Sequence, residues 1–111
     1  MTIETLGEFE QCVLLAVVHL GDGAYGVSIR REIESRTERD IVIGALYTSL
    51  GRLERKGYLR SSMSDPTPER GGRSKRYFTI TAAGARALRE ARARLDRMWD
   101  GLTPTLKRGR S

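Results

Sequence analysis

The stretch "GALYTSLGRLERKGYL", Gly44 to Leu59, decides how the rest of the chain is read. At 100° per residue Leu46, Leu50 and Leu53 share one side of a helix running from Gly44 to Lys56. Gly44, Thr48, Gly51, Arg52 and Arg55 point the other way, so the outside of this helix is small or cationic. Such a helix packs its leucines on a small core and offers the opposite face to an anionic surface. Gly57 closes it, because glycine takes the left-handed conformation that a helix end needs.

Beyond Gly57, "YLRSSM", Tyr58 to Met63, reads as a strand and "KRYFTI", Lys75 to Ile80, as its partner in a hairpin. Period two puts Phe78 and Ile80 on the inner face against Leu53 and Leu59, and Tyr77 and Thr79 on the other. The intervening "SSMSDPTPERGG", Ser61 to Gly72, holds two of the three prolines and forms a loop. Gly71 and Gly72 let its tip approach a surface closely, and Arg73, Lys75 and Arg76 stand where a duplex beside the third helix presents phosphates.

Upstream, Leu6, Phe9, Val13, Ala16, Val17 and Leu20 recur at helical spacing between Glu4 and Leu20, with Leu14, Leu15 and Val18 widening the stripe. That helix is apolar over too much of its circumference for one buried face, so it is expected to touch both its own domain and a partner chain. The turn "GDGAYG", Gly21 to Gly26, ends it, and a second helix follows from about Tyr25 to Ser35 with Tyr25, Ile29 and Ile33 on its inner side. The expected architecture is mainly α with a small β-hairpin: a winged helix-turn-helix over residues 1–80.

Thr81 suits the N-cap of a last helix. Behind it Leu88, Ala91, Leu95, Met98 and Leu102 are spaced 3, 4, 3, 4, a heptad seam with charged residues on its flanks. The seam either packs on the domain or pairs with a second copy. A helix of this length, residues 81–103, outreaches a small core and is expected to dimerise, with 104–111 a basic tail.

Composition is consistent with this reading. The chain has 111 residues, 39% hydrophobic and 31% charged, enough for one domain without a catalytic lobe. It has no apolar run of the ~20 residues needed to span a bilayer. The net charge of +6 is unevenly placed: residues 1–40 carry four Lys or Arg against eight Asp or Glu, 41–80 carry eight against three, and 81–111 carry eight against three. Positive charge in the last two thirds suits an anionic partner, although the preponderance of arginine also fits a GC-rich genome. An acidic opening without a basic, apolar leader, and a lone Cys12 unable to make an internal disulfide, place the chain in the cytoplasm.

Four blocks, "YGVSIRREIE" (Tyr25 to Glu34), "GALYTSLGRLERKGYL", "GGRSKRYFTIT" (Gly71 to Thr81) and Gly84, stand in order and at familiar intervals. Together they resemble the PadR family of bacterial transcriptional regulators, in its short form with one C-terminal helix, over about Leu6 to Leu102. The resemblance implies a homodimer that represses transcription from a pseudo-palindromic operator in double-stranded DNA, the last helix pairing with the partner's last and first helices. Tyr25 and Tyr47 match family tyrosines near the DNA backbone, Thr48 and Ser49 lie early on the recognition helix, and Arg73 and Lys75 match the basic wing. With Gly44, Ala45, Arg52 and Arg76 these make the expected DNA-facing set. The expected dimer set is Val13, Val17, Leu88, Ala91, Leu95, Met98 and Leu102. The family often has a hydroxyl residue where Ala45 stands and proline where Thr48 stands, so base readout is expected to differ from that of relatives.

Some relatives take flat hydrophobic effectors between their C-terminal helices. Trp99 is either a packing residue or a wall of such a pocket, and Leu95 stands where multidrug-sensing relatives place a stacking tryptophan. His19 and Cys12, seven residues apart on the first helix, do not make a closed metal site, and no cofactor is expected. No nucleophile has a nearby base and no glycine-rich phosphate loop occurs, so an enzyme is not expected. The rival from another class is a winged interaction module without specific DNA binding, for which the basic wing has no use. RNA binding lacks exposed aromatic platforms.

Overall fold

The computed structural model describes residues 5–64, 74–102 and 106. Four helices, α1 (Glu8–Leu20), α2 (Gly26–Thr37), α3 (Ile43–Arg55) and α4 (Ala82–Trp99), surround a two-stranded antiparallel sheet of β1 (Leu59–Met63) and β2 (Arg76–Ile80). The chain is therefore mainly α with a small hairpin, as expected.

Several boundaries have a local cause. Glu10 reaches back to accept from the Gly7 amide at 3.1 Å, which starts α1 at Glu8 rather than Glu4. A short 3-10 turn, Gly21–Gly23, then leads to Tyr25, an extended residue (φ −136°) ahead of α2 rather than within it. The α3 helix ends in a Schellman motif: Gly57 has φ +83°, its amide donates to Glu54 O at 3.0 Å, and the Tyr58 amide donates to Leu53 O at 2.9 Å. Thr81 caps α4 as expected, its hydroxyl oxygen accepting from the Gly84 amide at 3.0 Å.

Leu59 pairs with Ile80 and Met63 with Arg76, so Phe78 lies opposite Ser61 and faces the core. Val13, Leu14, Ile29, Leu46, Leu50 and Leu53 are buried around it, from all three helices of the helix-turn-helix. Roughly 1.5–3 kcal/mol for each such side chain makes this cluster the main source of stability. The hairpin is tied to the start of the helix-turn-helix by the Phe78 amide, which donates to Ala24 O at 2.8 Å beside a bridge between Tyr25 and Tyr77.

Two hydrogen bonds join the start of α4 to the turn that follows α3. The Thr81 hydroxyl donates to Gly57 O at 2.6 Å and its amide to Tyr58 O at 3.1 Å. Gly84 permits the approach, since a β-carbon there would stand 2.8 Å from Ile80 Cγ1 and closer still to Tyr58 O. Among the described residues no helix is long and apolar enough to cross a membrane.

The dimer seam needs correction at several positions. Val13 and Val17 are buried in the core of their own domain, because α2, α3 and β2 all pack on that side of α1. The residues α1 leaves outward are Leu15 and Val18, 47% and 53% exposed. Ala91 is also buried and Leu88 packs against the same core, so the first half of the seam is satisfied within the chain. Leu95 and Met98 remain exposed, and Leu102 lies beyond the helix, which stops at Trp99.

Candidate DNA interface

Gly44, Ala45 and Thr48 are exposed on the outer side of α3, opposite Leu46, Leu50 and Leu53. Thr48 donates its hydroxyl proton to Gly44 O at 3.0 Å, one turn back along its own helix. Ser49, expected among the DNA-facing residues, is only 6% exposed: it sits 100° round the helix from Thr48 and turns inward. It does not reach a duplex from there.

Tyr47 and Tyr25 come together with the wing. The Tyr47 phenol lies across Gly26, where a β-carbon would be 2.7 Å from Cζ and nearer still to the hydroxyl. Next to Gly26, the Tyr25 ring meets Tyr77 edge-on, with centroids 5.6 Å apart at 69°. The Lys75 ammonium stands 4.3 Å above the Tyr25 ring, a cation–π contact that holds the charge on the outside of the hairpin. Thr48, Tyr47, Tyr25 and Lys75 thus form one continuous strip from recognition helix to wing.

Two other expected cations point elsewhere. Arg76 is on the opposite face of β2 from Tyr77, because neighbouring strand residues alternate. Its Nε donates to Ser61 Oγ at 3.2 Å, and Ser61 in turn donates to Glu54 Oε2 at 2.6 Å. Arg52 bends toward α1, its Nη1 3.9 Å from Glu10 Oε2, while Lys56 Nζ is 3.3 Å from the same oxygen. Part of the charge of α3 is therefore answered inside the protein. Arg73 lies outside the described residues.

Sequence reading missed four residues. Glu10 is a nearly buried acid in an apolar helix, but its partner Lys56 is 46 positions away. Gly26 and Tyr77 act through contacts no local pattern reveals. Val42, just ahead of α3, was not singled out and stands 73% exposed.

A second surface lies along α1 and α4. Between α1 and α4 runs a groove of about 470 Å³ lined by Gln11, Leu15, Val18, Leu88, Leu95 and Trp99, among others. The expected effector residues Leu95 and Trp99 are thus neighbours on one apolar wall, with Leu15 and Val18 on the facing helix. Among the described residues no group of three His, Cys, Asp or Glu is placed to hold a metal ion.

A three-helix core, a recognition helix with an exposed outer face of small residues and a hairpin wing carrying cations define a winged-helix DNA-binding protein. The model of the PadR-like transcriptional regulators matches residues 14–90, and the chain belongs to that family. It is a DNA-binding transcriptional regulator and not an enzyme. Solved structures agree on the fold. A transcriptional regulator from Clostridium thermocellum is 24% identical over 80% of this chain and 81% of its own, with a TM-score of 0.68. A PadR-like transcription factor from Bacteroides fragilis is 25% identical over 92% and 89%, with a TM-score of 0.66. A PadR family regulator from Clostridium difficile is 21% identical over 90% and 96%, with a TM-score of 0.65. No curated protein gives a significant match.

Proposed function

We propose that the protein is a cytoplasmic homodimeric repressor that binds a pseudo-palindromic operator, and that it releases the operator when a flat apolar effector enters the groove between α1 and α4. Residues 1–80 form the DNA-binding unit and 81–103 the dimerisation segment. The α3 helix enters the major groove through Gly44, Ala45 and Thr48. Tyr25, Tyr47 and Lys75 lie along the flanking phosphates. The observation that supports this reading is the continuous strip from Thr48 through Tyr47 and Tyr25 to Lys75, which puts a recognition helix and a cation of the wing on one surface, as contact with a groove and its adjacent backbone requires.

Dimerisation rests on Leu15, Val18, Leu95, Met98 and Trp99, an apolar set left exposed on α1 and α4. Because Thr81 and Gly84 fasten α4 to the end of α3, a ligand that shifts α4 against the partner respaces the two recognition helices. A tenfold release requires only about 1.4 kcal/mol of preference for the respaced dimer.

Light scattering and footprinting test the assembly: a dimer protects two half-sites about 34–36 Å apart. A stable monomer at micromolar concentration, or protection of one asymmetric half-site, overturns it. Flat apolar compounds titrated against Trp99 fluorescence test the switch: those that quench Trp99 lower operator affinity, and Trp99→Leu blunts both effects. Release that survives Trp99→Leu unchanged places the sensor elsewhere.

A further inference from the structure

The recognition helix is chemically unusual where it meets bases. From Ile41 to Gly51, "IVIGALYTSLG", there is no Arg, Lys, Asn, Gln, Asp or Glu. The side chains that distinguish guanine or adenine by paired hydrogen bonds are therefore missing from its first two turns. Tyr47 turns its hydroxyl toward Gly26, and Ser49 is buried. Arg52, one turn on from Thr48, leans on Glu10.

Besides Tyr47, whose hydroxyl is turned to Gly26, the exposed residues from Ile41 to Gly51 are Val42, Gly44, Ala45 and Thr48. The Thr48 hydroxyl donates to Gly44 O one turn back, so in this rotamer the side chain presents its methyl and an oxygen already engaged with its own helix. Gly44 adds no bulk, which lets the helix sit deep. The surface that enters the groove is thus a cluster of methyl groups around a bare patch of backbone.

In the major groove one base carries a methyl of its own, the C5-methyl of thymine. We propose that this protein reads thymine methyls: Val42, Ala45 and Thr48 select A·T pairs in each half-site by apolar contact, without bidentate hydrogen bonds to guanine or adenine. This deepens the repressor reading and rests on α3 entering the major groove.

Deoxyuridine tests the idea, because it pairs like thymidine and lacks only that methyl. The full-length protein selects its preferred duplex from a random pool, and that duplex is resynthesised with uracil in place of thymine, one symmetric pair of positions at a time. Each contacted methyl removed should weaken binding about fourfold, the value of one buried methyl-sized group. Val42→Ala, Ala45→Gly and Thr48→Ser should each reduce or erase the uracil penalty at one position and leave the salt dependence unchanged. A preferred duplex that binds within twofold after complete uracil substitution overturns the inference while leaving the repressor reading intact. A uracil penalty that persists in every side-chain variant also overturns it, since the methyls then act through DNA shape. A pool that yields no preferred sequence removes the repressor reading and this inference together.

Discussion

Replacing Gly26 by alanine tests the join between recognition helix and wing. Gly26 opens α2 with a φ outside the left-handed region, so the backbone itself does not require glycine. On propensity alone alanine is better by up to roughly 0.5–1 kcal/mol. The obstacle is Tyr47: the new β-carbon would lie 2.7 Å from Cζ and 3.0 Å from Cε1. Overpacking of this kind costs about 1–3 kcal/mol, and the half-exposed Tyr47 can swing outward, which favours the lower part of that range. After the propensity gain a net loss of about 1 kcal/mol remains, a fall in Tm of roughly 4–5 °C for a domain of this size. In a Tyr47→Ala background the obstacle is gone, and Gly26→Ala should be neutral or stabilising by up to about 0.5 kcal/mol. The assay is urea unfolding of all four proteins by far-UV circular dichroism, at one fixed protomer concentration because association adds to apparent stability. Duplex binding should follow: Gly26→Ala weakens it about as much as Tyr47→Ala does, and the double variant no further. Equal destabilisation by Gly26→Ala in both backgrounds would refute the seating of Tyr47 on Gly26.

Further predictions concern three side chains. Glu10→Gln keeps the cap on Gly7 but loses the ion pairs with Lys56 and Arg52. It should cost about 1–2 kcal/mol, and by freeing Arg52 it should steepen log K against log salt by up to about 0.9 per subunit; an unchanged slope would mean that Arg52 never reaches phosphate. The Glu34 carboxyl is held below its ordinary range first by the Ile41 amide at 2.9 Å and, against some desolvation, by Arg30. Its folded pKa is the lower one, so its contribution is complete above the unfolded value of about 4.3 and is lost as pH falls through the folded value. The Tm gap between wild type and Glu34→Gln, present at pH 7, should close over that window, and a gap that persists in acid would count against the hydrogen bond. Burial raises the Cys12 thiol above its usual pKa, Glu8 adds to the rise and Arg39 opposes it. At pH 8 Cys12 should therefore react with a disulfide reagent more slowly in the folded protein than in urea, and matched rates would rule that out.

Much of the fold was legible because periodicity is a local property. The leucines of α3 recur every three to four residues and Phe78 and Ile80 every two, and these spacings assign the helix and the inner face of β2 without knowledge of their neighbours. Thr81 and Gly57 likewise end or begin helices through hydrogen bonds within a few residues of themselves. The four spaced blocks carried the family, and with it the winged helix.

Faces and partners were another matter. Nine apolar residues crowd α1, and its pattern alone does not say that Val13 and Val17 go inward while Leu15 and Val18 stay out; the packing of α2, α3 and β2 on one side decides it. Ser49 and Thr48 are adjacent hydroxyl residues, and one is buried and the other exposed because 100° of helical rotation carries them across the edge of the core. Arg52 reads as a free cation until Glu10, 42 positions earlier, is brought within 3.9 Å. Sequence by itself determined the elements, their order and the family, since each depends on spacing along the chain. Only the tertiary structure decided which groups are left to meet DNA, because a charge, a phenol or a methyl is available to a partner only when no neighbour in the fold has already taken it.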